Sequence, residues 1–140
     1  MPVVDFTQSL IYRYDAGGAL APLLPVRLRL VGYEAEFLLL VDTGAERTLL
    51  EGVHVRAAGL DVFDGQPLAV QGFLGARTTA YLHKATLVIG DSEVETEIAF
   101  SPQPLARQVL GRDILANFVL GLRERASEFY LAAETWTNSR

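Results

Sequence analysis

No cysteine occurs in the 140 residues, which removes disulfides, thiolate nucleophiles and cysteine-ligated zinc from the available chemistries. That absence agrees with a reducing compartment. Histidine is almost as scarce, with only His54 and His83. Neither has a neighbouring ligand for a metal, and both read as surface or interface residues. No Gly-x-Ser-x-Gly elbow is present, so a serine triad has no support. Basic residues number 12 against 17 acidic, a net charge of −5, and they form no cluster; nucleic acid is not an expected partner. Long apolar runs are missing as well. The longest, around Phe37 to Val41, falls far short of the roughly 20 residues that cross a bilayer. The start, Met1-Pro2-Val3-Val4-Asp5-Phe6, lacks the basic-then-apolar pattern of a signal peptide. A soluble, cytoplasmic protein without a membrane partner is expected.

What is present reads mainly as strands. Val26, Leu28 and Leu30 alternate with Arg27 and Arg29, the period of a half-buried strand. Ser9 to Tyr14 is a further short strand, and Tyr33 to Val41 begins in alternation and ends apolar, as a strand entering a core does. Thr48 to Gly59 carries Leu49, Val53 and Ala57 at helical spacing and closes on glycine, which predicts a helix. Leu68 to Gly75 and Ala76 to Ile89 predict a hairpin turning at Gly72-Phe73-Leu74-Gly75, with Glu93 to Phe100 following the Gly90-Asp91 turn. Arg112 to Phe118 predicts a short helix, and Val119 to Leu122 with Glu128 to Ala132 a last hairpin. One mostly-β domain over 1–140 is expected, with its core in about 25–132 and a frayed tail at 133–140.

The chemistry concentrates at Asp42-Thr43-Gly44-Ala45, which ends the apolar run. Burying a carboxylate costs several kcal/mol, on the order of the penalties for any unpaired buried charge, unless hydrogen bonds compensate it. Gly44 has no Cβ, so its N–H can approach the carboxylate closely. Thr43 offers a hydroxyl that can lock the loop. Asp15-Ala16-Gly17-Gly18 echoes this turn but lacks Ser or Thr and reads as a loop, so one such turn is present.

Far downstream stands Val109-Leu110-Gly111-Arg112-Asp113-Ile114-Leu115, and between the two lies Gly72-Phe73-Leu74-Gly75. In these motifs, their order and their spacing, the chain resembles the retropepsin-like aspartic proteases from about Pro25 to Ala132. The resemblance implies a closed-barrel-like retropepsin fold, mostly β, with one or two short helices. It implies an aspartic endopeptidase in which Asp42 is catalytic and Thr43, Gly44 and Ala45 support its loop. Gly72, Phe73, Leu74 and Gly75 would form a flap over the substrate, and Val109 would line an apolar subsite. Glu46 and Arg112 would form a structural ion pair behind the catalytic loop, with Glu46 otherwise free to bind substrate. No cofactor or metal is implied.

Two carboxylates sharing one proton are needed for this chemistry, and one chain offers one. A symmetric homodimer follows, with an Asp42 from each subunit on the two-fold axis. The N-terminal segment and the final hairpin are alternative dimer strands. The expected partner is an extended polypeptide with apolar side chains at the scissile bond. The rival reading is a binding or assembly module that keeps the fold and the dimer with little turnover.

Overall fold

A computed structural model describes residues 8–71 and 75–133. The chain runs β1 (Gln8–Ile11), β2 (Arg13–Tyr14), β3 (Leu20–Ala21), β4 (Leu23–Leu30), β5 (Tyr33–Val41) and β6 (Leu49–Glu51), then α1 (Val53–Ala57) and a 3-10 turn at Val62–Asp64. It continues through β7 (Gln66–Gln71), β8 (Arg77–Ile89), β9 (Ser92–Ser101), β10 (Val109–Leu110), α2 (Arg112–Leu115), β11 (Phe118–Arg123) and β12 (Glu128–Ala133).

Alternation drives the main sheet. In β4, Val26, Leu28 and Leu30 are buried while Arg27 and Arg29 face out, and β5 ends with Leu39 and Val41 inside. The ladder runs β4-β5-β10-β6-β9-β8, and β8 pairs back onto β4 through Leu28↔Leu87. That last pairing closes six strands into a barrel, with β7 on the same edge of β8 as β4, nearer the start of the strand. Closure pairs β8 on both sides, with β9 along one edge and β7 then β4 along the other. Inside, Leu24, Leu28, Leu39, Leu50, Leu87, Ile98, Phe100 and Leu110 are fully buried. On the outer surface Arg27 meets Glu36 at 3.3 Å and Arg29 meets Glu34 at 3.1 Å. These pairs are exposed, and such pairs contribute about 0–1 kcal/mol each.

Two expected helices are shorter than their patterns. Thr48 to Gly59 divides into strand β6 and helix α1. Leu49 and Leu50 pair with Ala99 and Phe100 of β9, and Leu49 also pairs with Val109. The barrel ladder outweighs local helical spacing there. Gly52 makes the change of direction, since a Cβ on it would sit 2.6 Å from the Ser101 carbonyl oxygen. Helix α2 stops at Leu115 because Phe118 already pairs with Ala133 at the start of the last hairpin.

The chain's two ends form one sheet, in the order β1-β12-β11. Gln8 lies opposite Leu131 and Leu10 opposite Phe129. The N-terminal strand and the final hairpin are therefore parts of one sheet. Tyr12 is buried beside this sheet and donates to Glu124 at 2.5 Å. Burial first, and then that carboxylate, push its hydroxyl up to about 12.

Candidate active site

Strand β5 sends Leu39 and Val41 into the core and turns Leu38, Leu40 and then Asp42 to the other face. Asp42 is half-buried just past the strand end, where its N–H donates to the Leu110 carbonyl at 3.0 Å. Its Oδ1 accepts the Gly44 N–H at 2.9 Å, and Ala45 N–H closes the turn onto the Asp42 carbonyl at 3.2 Å. A Cβ on Gly44 would stand only 3.2 Å from that same Oδ1. The close approach expected of this glycine is present.

The second motif is laid directly across the first. β10 runs parallel to β5, pairing Val109 with Leu40 and Leu110 with Val41. Arg112 N–H then donates to the Ala45 carbonyl at 2.9 Å and Asp113 N–H to that of Glu46 at 3.2 Å. Gly111 sits so tightly that a Cβ would come within 2.4 Å of the Arg47 carbonyl carbon. Asp113 Oδ1 accepts three hydrogen bonds, from Thr48 N–H and Thr48 Oγ1 at 2.8 Å each and from Ile114 N–H at 2.9 Å. Thr48 Oγ1 in turn accepts Gly111 N–H at 3.0 Å. Thr48, which is fully buried, thus ties the Asp-Thr-Gly turn to the glycine loop, a role not visible in its place in the sequence.

The expected Glu46–Arg112 ion pair is not formed. Arg112 Nη1 donates instead to the Thr43 carbonyl at 2.9 Å, and no described carboxylate lies within ion-pair reach of it. Both side chains are exposed, and Glu46 is held to α2 through its backbone carbonyl, which accepts Asp113 N–H, rather than through its carboxylate. Arg112 therefore braces the loop through a neutral acceptor. Thr43 and Gly44 are exposed beside Asp42.

Val109 is half-buried between Leu40 and Leu49. Its neighbours Arg107 and Gln108 line a cleft of about 260 Å³ together with Leu23, Leu38, Leu40 and Asp15. Of the expected flap residues, Gly75 is described, with φ +78°, whereas Gly72, Phe73 and Leu74 lie outside the described residues. Strands β7 and β8 pair in register to Gln71↔Arg77.

The two histidines, expected at a surface or an interface, differ: His83 is only partly buried, on strand β8. His54 is buried, stacked on Phe37 with ring centroids 4.7 Å apart. Its Nε2 lies 3.1 Å from Gln108 Oε1 and its Nδ1 3.2 Å from the Tyr33 hydroxyl. Gln108 Oε1 also accepts Glu51 N–H at 2.8 Å. Burial lowers the His54 pKa, against the opposing pull of Gln108 and of the Glu51 charge. His83 Nε2 meets the Val62 carbonyl at 2.8 Å. His54 so anchors the segment entering β10. The helical spacing around it concealed this, because Leu49 and Leu50 belong to a strand.

Comparison with known proteins agrees with this arrangement. The sequence profile of the family described as "gag-polyprotein putative aspartyl protease" matches residues 27–117. No curated protein matches the chain. Among solved structures, a retropepsin-like aspartic protease from Rickettsia conorii superposes with a TM-score of 0.61 at 16% identity, covering 92% of this chain and 96% of that one. EIAV protease complexed with the inhibitor HBY-793 superposes with a TM-score of 0.51 at 21% identity, covering 69% of this chain and 86% of that one. At such identities the likeness speaks for the fold, and the profile match, spanning both the Asp-Thr-Gly turn and the Gly-Arg-Asp loop, speaks for descent. With barrel, turn and crossing loop in place, the chain belongs to the retropepsin-like aspartic proteases.

Proposed function

We propose that the chain is an aspartic endopeptidase whose site is completed by a second copy of itself. The observation that carries this is Asp42: a half-buried carboxylate at the end of β5, held through Oδ1 by Gly44 N–H and backed by the crossing Gly111 loop. Asp-Thr-Gly occurs once in the sequence. Two such carboxylates brought face to face share a proton, since like charges about 3 Å apart do not both ionise cheaply. One then acts as base toward a water and the other as acid toward the scissile carbonyl. The exposed Thr43-Gly44 edge beside Asp42 is the surface on which a second copy would bring its own carboxylate. The substrate is an extended polypeptide with apolar residues at the scissile bond, and the apolar side chains flanking Asp42 on β5, Leu38 and Leu40, support that reading.

The test is cleavage of a quenched-fluorescence peptide library by wild type and Asp42→Asn between acidic and neutral pH. Asparagine keeps the shape and loses the base, so cleavage should vanish while secondary structure and oligomeric mass are retained. Cleavage by the folded variant above a few per cent of wild type, or none by wild type under any condition, overturns the proposal.

A further inference from the structure

Beside the catalytic strand the cleft has an apolar floor and one charged wall. Leu38, Leu40 and Asp42 alternate along one face of the chain, so Leu40 stands about 7 Å from Asp42, two strand residues away. Leu23 lies opposite Leu40 in the β4–β5 register and extends the floor. Gln108 carbonyl accepts Leu40 N–H at 3.2 Å, which sets Arg107 at the rim over these leucines.

The charges at the rim are unequally occupied. Asp15 is a built element of the wall: its Oδ1 accepts Gly17 N–H and Ala19 N–H at 2.9 Å each, and its side chain is only 14% exposed. Arg107 touches it loosely, Nη2 to Oδ2 at 3.5 Å, and remains 56% exposed. A guanidinium carries five donors in a planar fork, and among the described residues this one makes a single long contact. The carboxylate has hydrogen bonds from two backbone N–H groups; among the described residues the guanidinium has none.

We propose that this cleft is a substrate subsite that selects a side chain ending in a carboxylate, glutamate before others, with Arg107 as the specificity-determining residue. Glutamate's methylenes lie on Leu38 and Leu40, and its carboxylate reaches the free edge of Arg107 for a paired, charge-assisted contact. Asp15 orients the guanidinium and tempers its charge. In a symmetric dimer each subunit offers one such subsite, one on either side of the scissile bond. The inference rests on the peptidase reading and narrows its substrate to peptides that combine apolar and acidic residues around the cut.

Binding to the Asp42→Asn protein tests it without any need for turnover. Peptides carry glutamate, glutamine or leucine in turn at the positions within three residues of the expected scissile bond. Affinities are measured by calorimetry at low salt and about pH 6, where glutamate is ionised. At one or more positions glutamate should bind about tenfold tighter than glutamine, the scale of one charge-assisted hydrogen bond in a half-exposed site. Arg107→Met in the same background should erase that preference, Arg107→Lys should keep part of it, and Asp15→Asn should enlarge it. Equal affinity for glutamate and glutamine everywhere, or a preference that survives in Arg107→Met, overturns the subsite. If wild type cleaves nothing while the Arg107-dependent preference holds, the peptidase reading fails and the subsite stands. If no peptide binds at all, both fall.

Discussion

At the scale of single residues, the Asp-Thr-Gly turn is held less by Asp42 itself than by what braces it from behind. Thr48 is fully buried and uses one hydroxyl twice, donating to Asp113 and accepting from Gly111 N–H. Removing that oxygen while keeping the shape strands a buried donor and weakens the hold on a carboxylate whose other oxygen, Oδ2, is buried without a hydrogen bond. Thr48→Val should therefore cost about 1–3 kcal/mol of stability, the range for leaving buried partners unsatisfied. Thr48→Ser should recover most of it. Urea unfolding of the three proteins checks this; equal stability of Thr48→Val and wild type would show that the hydroxyl bridge holds nothing.

At the scale of elements, two features bear on stability in opposite ways. The β4–β5 hairpin turns through Val31 and Gly32, both at positive φ, 53° and 94°. A two-residue turn of this kind suits the twist of the strands, but a β-branched residue in the left-handed region costs about 1–2 kcal/mol. Val31 is exposed, so nothing in the core requires it. Val31→Asn should raise stability by about 1 kcal/mol, read as a higher Tm at unchanged circular dichroism. The second feature is the clamp between α1 and β10. Burial lowers the His54 pKa from 6.5, so folding favours its neutral form. As pH falls below about 6.5 the unfolded chain takes up a proton that the folded chain refuses, so stability drops until pH reaches the lowered folded value and then levels. Stability measured by denaturant from pH 8 to 4 should fall across that window, and His54→Gln should flatten that part of the curve. An identical profile for both proteins would mean that His54 does not contribute.

At the scale of the whole molecule, a shared site makes activity depend on concentration. If each subunit supplies one Asp42, specific activity must fall on dilution in step with dissociation, by mass action. Cleavage rates across a dilution series, set beside sedimentation at the same concentrations, test this. Constant activity per subunit from a monomer would locate the second carboxylate within one chain. The terminal sheet β1-β12-β11 and the exposed side chains Ile11 and Leu122 upon it form a surface on which such association can be probed.

Local chemistry determined a great deal here before any coordinates. Asp42-Thr43-Gly44 marked the candidate site because a carboxylate at the end of an apolar run needs a glycine N–H beside it; period-two alternation marked β4 and β5, and the Gly90-Asp91 turn marked the β8–β9 hairpin. Those signals lie within a few consecutive residues. What the tertiary structure decided lies between residues far apart in the chain. Leu49 and Leu50 became a strand because β9 and β10 offered ladder partners, and Arg112 gives its hydrogen bond to the Thr43 carbonyl rather than to Glu46. Arg107 came to Asp15, and His54 to Gln108, across stretches of chain that carry no pattern linking them. Propensity and periodicity are properties of neighbouring residues, whereas the closing of β8 onto β4 and the crossing of β10 over the Asp-Thr-Gly turn arise only when the barrel buries its core.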